Sequence, residues 1–113
     1  MITIYKYNLT FGGGQTLGIH KGYKILKIDI QNDKLVMWCI VNTDNPLVNV
    51  KIKTFGTGDD MGDCQGLEYV GTYQTFNGML VSHVFVHTDH DHTLTMPTMP
   101  NEGNKLSRFI DSI

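Results

Sequence analysis

This sequence predicts an all-β fold, a small antiparallel β-sandwich or barrel-like domain, followed by a short C-terminal helical arm. Short runs rich in Val, Ile, Tyr and Phe recur along the chain, the pattern of strands returning at intervals of about 8–12 residues. Several of them alternate apolar and polar residues with the period of a half-buried strand. Between the runs stand turn formers, among them Gly12-Gly13-Gly14, Asn32-Asp33 and Asn77-Gly78. The 113 residues suit one domain with one modest core. We divide them into a β domain, residues 1–87, and an extended arm, residues 88–113, docked on the same or a neighbouring subunit.

Ile2 to Leu9 opens the chain as an imperfectly alternating strand, and the glycine triplet ends it. A short run around Thr16–Ile19 resumes the sheet. Tyr23–Ile30 places Leu26, Ile28 and Ile30 on one face, with Lys27 and Asp29 on the other. Asn32-Asp33 turns that strand into Lys34–Val41, whose residues Leu35 to Val41 are apolar on both faces. Such a strand lies centrally, covered on one side by the core and on the other by a second layer or subunit. Trp38, in its middle, reads as core, and Cys39 as a small core residue. Asn42–Pro46 is a turn, Val48–Lys53 alternates cleanly, and the run ends in Phe55-Gly56-Thr57-Gly58. Asp59–Gly66 is loop and holds Cys64. Leu67–Thr75 and Met79–His87 form a hairpin around Phe76-Asn77-Gly78, where Asn-Gly supplies positive φ angles. In the arm, Pro97 and Pro100 impose an extended backbone. Leu106, Phe109, Ile110 and Ile113 then fall at helical spacing, with Asn104 placed to cap them.

Charge is uneven. Seven lysines (Lys6, Lys21, Lys24, Lys27, Lys34, Lys51 and Lys53) precede Gly56, against Asp29, Asp33 and Asp44. From Gly56 onward only Lys105 and Arg108 are strong bases. Lysines on strand faces protect sheet edges, and they also build a local positive field for a small anion or a complementary subunit. Long nucleic acid is a poor fit for a chain of net charge −2 with a single Arg. The chain has no apolar run of spanning length and no signal core after Met1, so a cytosolic protein with free thiols is expected.

The residues that bear chemistry point to binding more than to catalysis. Gly56 and Gly58 remove two Cβ atoms around Thr57, which suits a phosphate held by backbone amides and equally suits a tight turn. His83 shares a strand face with Val81 and Phe85, as a core histidine or as a donor facing a ligand. Tyr5, Tyr7, Tyr69 and Tyr73 are ordinary strand residues that also offer flat faces to a base. The segment His87-Thr88-Asp89-His90-Asp91-His92 has the right ligand types for a metal, yet no distant Cys/His motif completes a shell, so it reads as a polar linker. Cys64 lacks a histidine partner, no serine sits on a glycine elbow, and no paired His-x-Thr/Ser motif occurs. We therefore expect no enzyme, no metal site and no cofactor.

The blocks Ile4-Tyr5-Lys6-Tyr7, His20 to Leu26, Leu35 to Asn42, Phe55-Gly56-Thr57-Gly58, Tyr69-Val70-Gly71-Thr72-Tyr73-Gln74 and Ser82-His83-Val84-Phe85 together resemble a family of small phage proteins. The resemblance covers residues 1–87. Small phage β-proteins of this kind are similar to anti-CBASS immune-evasion sponges, which sequester cyclic nucleotide signals in the infected bacterial cytoplasm. The resemblance implies stoichiometric capture, without cleavage, of a cyclic dinucleotide such as 3′3′-cGAMP, by a homo-oligomer (dimer or tetramer). It implies Gly56, Thr57 and Gly58 at a phosphate, Tyr73 stacking a base, and His83 or Lys6 pairing with polar ligand edges. A phage structural or accessory protein that binds another protein is the first alternative, and an enzyme made metal-dependent by the His87–His92 segment is the second.

Overall fold

A computed structural model describes residues 1–87 of the chain. They form seven strands: β1 (Ile2–Leu9), β2 (Gly14–His20), β3 (Lys24–Gln31), β4 (Lys34–Asn42), β5 (Leu47–Gly56), β6 (Leu67–Thr75) and β7 (Leu80–His87). The strands divide into two antiparallel sheets, one ordered β1-β4-β3 and the other β2-β5-β7-β6. There is no helix among the described residues. The all-β expectation holds; the proline segment and the helical stripe of the arm lie outside the described residues.

Alternation decides which faces meet. In the three-stranded sheet Tyr7 and Leu9 of β1, Leu35, Met37, Cys39 and Val41 of β4, and Ile28 of β3 turn inward. From the four-stranded sheet come Leu17, Ile19, Val48, Val50, Ile52, Val84, Val86 and Tyr73. Each apolar side chain removed from water in this way is worth about 1.5–3 kcal/mol, which offsets the entropy of ordering two sheets. Burial in this core pushes the Cys39 thiol up to about 12.

Tight turns join the hairpins. Asn32 and Asp33 both adopt positive φ, as the two-residue loop between β3 and β4 requires. In the β6–β7 hairpin the positive angles begin one residue earlier than Asn-Gly alone requires: Phe76 (φ 53°) and Asn77 (φ 56°) occupy the left-handed region, followed by Gly78. Gly78 donates its N–H to Thr75 O at 3.1 Å, closing the turn.

β3 and β6 are edge strands of opposite sheets, and each carries a register shift, between Ile25 and Lys27 in β3 and between Tyr69 and Gly71 in β6. Both bulges lie where the two edges approach one another. Trp38 departs from expectation. It pairs with Lys6 and Lys27, on the side of β4 opposite Met37 and Cys39, and it is half-buried rather than enclosed. Period-two geometry forces this: with Met37 and Cys39 inward, the residue between them must point away.

Candidate functional site: the outward face of the four-stranded sheet

The alternation that sends Val50, Ile52, Val84 and Val86 inward sends Lys51, Lys53 and Phe55 of β5 outward with His83 and Phe85 of β7. β6 adds Tyr69, Thr72 and Gln74, paired with Phe85, His83 and Val81. The outward positions of these three strands carry no Asp or Glu. Two lysines, two imidazoles (His83 and His87) and several rings therefore share a face without a carboxylate between them.

The rings form a row across the strands. Phe55 meets Phe85 edge to face, centroids 5.9 Å apart, and Tyr69 meets Phe85 in the same way at 5.7 Å. Tyr69 keeps 56% of its surface exposed, whereas Phe55 and Phe85 are half-buried. Beside the rings runs a chain of polar contacts. Thr57 Oγ1 lies 2.8 Å from His83 Nε2, and His83 Nδ1 lies 3.1 Å from Thr72 Oγ1. Thr72 Oγ1 is in turn 2.6 Å from the Tyr69 hydroxyl. A neutral imidazole donates at one nitrogen and accepts at the other, and because each hydroxyl can take either role the chain accommodates both tautomers. His83 is not enclosed in the core: it is half-buried on the outward face and held from both sides.

The glycine loop sits at the end of β5, where Thr57 reaches His83. Its amides are largely engaged. Gly56 N–H donates to the Asp59 carboxylate at 2.7 Å, Thr57 N–H to Val81 O at 3.2 Å, and Asp59 N–H to Gly56 O at 3.0 Å. Gly58 holds φ +93°, which a side chain would strain. The loop is a turn closed by its own carboxylate, and a phosphate reaching Gly56 N–H has to displace Asp59 first.

Of the residues singled out from sequence, Gly56, Thr57, Gly58 and His83 come together here. Tyr73 lies in the same sheet but on its inner side. It is only 6% exposed, its ring packs edge to face on Phe11, and its hydroxyl accepts the Gly12 N–H at 2.9 Å. That corrects its assignment as a stacking platform: the tyrosine free to stack on this face is Tyr69. Tyr73 lines instead a hollow of about 500 Å³ with Phe11, Phe76 and Leu80. Lys6 belongs to the other sheet, where its Nζ donates to Gln31 Oε1 at 3.0 Å, and it does not join the loop. Sequence reasoning missed Lys53, Phe55, Phe85 and Thr72. The signal was present in part, since counting outward residue by residue from Asn77-Gly78 pairs Thr72 with His83; the bulge between Tyr69 and Gly71 lies beyond that pair and shifts the pairing of Tyr69 with Phe85. Among the described residues no group of three or more His, Cys, Asp or Glu is placed to hold a metal; His90 and His92 lie outside them.

Fold and site together define a seven-stranded β-sandwich with an aromatic, lysine-bearing sheet face. The chain belongs to the family described as Domain of unknown function (DUF7352), whose model matches residues 1–95 and so spans every described strand. No curated protein and no solved structure matches it.

Proposed function

We propose that this protein captures a small nucleotide on the outward face of its four-stranded sheet and holds it without cleaving it. The single observation that carries the reading is the row Phe55–Phe85–Tyr69 beside Lys51 and Lys53, on strand positions that carry no carboxylate. Bases stack on rings whatever their identity, and each such contact is worth about 1–3 kcal/mol. Lysine ammonium groups attract phosphate, and His83, Thr72 and Gln74 offer donors and acceptors to base edges. A cyclic dinucleotide has two bases and two phosphates in a compact ring. That composition, together with the resemblance to small phage proteins, makes it our ligand class and makes sequestration of an immune signal our proposed role. One face grips one side of such a ligand; nanomolar capture, about −12 kcal/mol, calls for contacts from a second subunit as well.

Calorimetric titration with 3′3′-cGAMP and related cyclic dinucleotides tests this, followed by heat release and chromatography of the nucleotide. The expected outcome is binding with intact nucleotide recovered. Tyr69→Ala should weaken binding about 10-fold or more by loss of one stacking contact. Lys53→Glu should weaken it further, through charge reversal. Thr57→Glu, which places a carboxylate beside His83, should abolish capture while the circular dichroism spectrum stays unchanged. A panel that leaves both heat and melting temperature unmoved overturns the proposal. The Thr57–His83 hydrogen bond also has the geometry of a hydroxyl nucleophile and its base, so recovery of a cleaved nucleotide would assign a hydrolase instead.

A further inference from the structure

The outward face of the three-stranded sheet is apolar at its centre. Trp38 and Ile40 of β4 point away from the core and are half-buried, beside Val36, which is already enclosed, and flanked by Ile4 of β1 and Leu26 of β3. Ile4 is 42% and Leu26 46% exposed, and with Lys27 and Trp38 they bound a hollow of about 450 Å³. A strand apolar on both faces implies a cover on both. The inner face has one in the other sheet.

We infer that the C-terminal segment of the same chain, Leu106 to Ile113, covers this face. The point where the chain leaves the sandwich favours it. β7 ends at His87, next to Val86, and Val86 lines a groove of about 580 Å³ whose opposite wall is Tyr23, Lys24 and Ile25 at the start of β3. The groove therefore leads from the exit point to the edge of the three-stranded sheet, beside Leu26. Length allows the path: residues 88–105 extended reach up to about 60 Å, against a longest molecular dimension of 40 Å. Composition fits as well. Leu106, Phe109, Ile110 and Ile113 make an apolar stripe that a short helix must bury to be stable in water. Charge is complementary, since the outward face carries Lys6, Lys24, Lys27 and Lys34 against Asp29 alone. Residues 88–113 carry four carboxylates against Lys105 and Arg108. A tether in the same chain holds the segment at millimolar effective concentration, on the order of what weak docking needs.

Trp38 is the only tryptophan of the chain and lies in the middle of the face, so its fluorescence reports the cover directly. In the full chain, Phe109→Asp with Ile110→Asp should shift Trp38 emission to the red. It should raise the acrylamide quenching constant by about twofold or more as the indole regains water. Trypsin should cut after Lys105 and Arg108 faster in this variant than in the wild type. Ser107→Asp, off the apolar stripe, should change neither readout. Both substitutions lie outside the sandwich, so an unaltered far-ultraviolet circular dichroism strand signal serves as the folding check. The inference is overturned if Trp38 emission and quenching are the same in wild type and double variant. It is also overturned if the wild-type protection of Trp38 vanishes on dilution together with a dimer in sedimentation, which would assign the face to a second copy.

Discussion

Gly71 stands in the β6 bulge where the edge of one sheet faces the edge of the other. A Cβ built there would lie 3.3 Å from Ile28 Cβ, and Ile28 is itself buried. Branching at Cβ leaves Ile28 few rotamers with which to retreat. Gly71→Ala should therefore destabilise the fold by about 1–3 kcal/mol through overpacking, read as a lower urea midpoint. An unchanged midpoint would show that β3 shifts to accept the methyl group. Asp59 makes a different kind of point at the same scale. One carboxylate on the Gly56 amide converts what the glycines alone suggest, an anion cradle, into a closed turn.

At the scale of elements, the β6–β7 hairpin carries the clearest local cost. Phe76 holds a φ of 53° that non-glycine residues other than Asn and Asp rarely adopt, and its side chain is 71% exposed. Phe76→Asn keeps the backbone geometry with a residue suited to it. The expected result is a gain of roughly 1 kcal/mol in chemical denaturation. A loss instead would show that packing of Phe76 beside Phe11 and Tyr73 outweighs the backbone strain. The hairpin matters to the site because its register sets Thr72 against His83 and Tyr69 against Phe85. A one-residue slip would turn His83 and Phe85 into the core.

For the molecule as a whole, alkaline pH is the informative axis. Burial pushes the Cys39 thiol from 9.0 to about 12 and, with Cys39 and Glu68 nearby, the Tyr23 hydroxyl from 10.0 to about 12; it raises Tyr7 too. Each group keeps its proton when folded and loses it when unfolded across that interval. The unfolded state then binds fewer protons, so stability must fall as pH rises. Stability should be flat up to about pH 9 and decline from there towards pH 12, in urea titrations at fixed temperature. Replacing Cys39 with Val should flatten the first part of the decline. If the decline is identical without the thiol, Tyr23 and Tyr7 dominate.

Local pattern, by itself, determined the strands and their turns. The alternation of Val48 to Lys53, the doubly apolar run Leu35 to Val41, Asn32-Asp33 and Asn77-Gly78 each act through neighbours in the chain, and the observed strands lie where those signals place them. Cys39 is core, as its place in the most apolar strand suggested. What tertiary structure alone decided is which faces meet. Trp38 looked like core until β4 chose Met37 and Cys39 as its inward residues, and Tyr73 looked like a platform until sheet packing turned it inside. The aromatic row and the Thr57–His83–Thr72–Tyr69 chain join residues from β5, β6, β7 and a loop. Strand order and bulges bring such residues together, and both follow from the arrangement of the whole chain that leaves the least apolar surface exposed to water, which no local window of sequence contains.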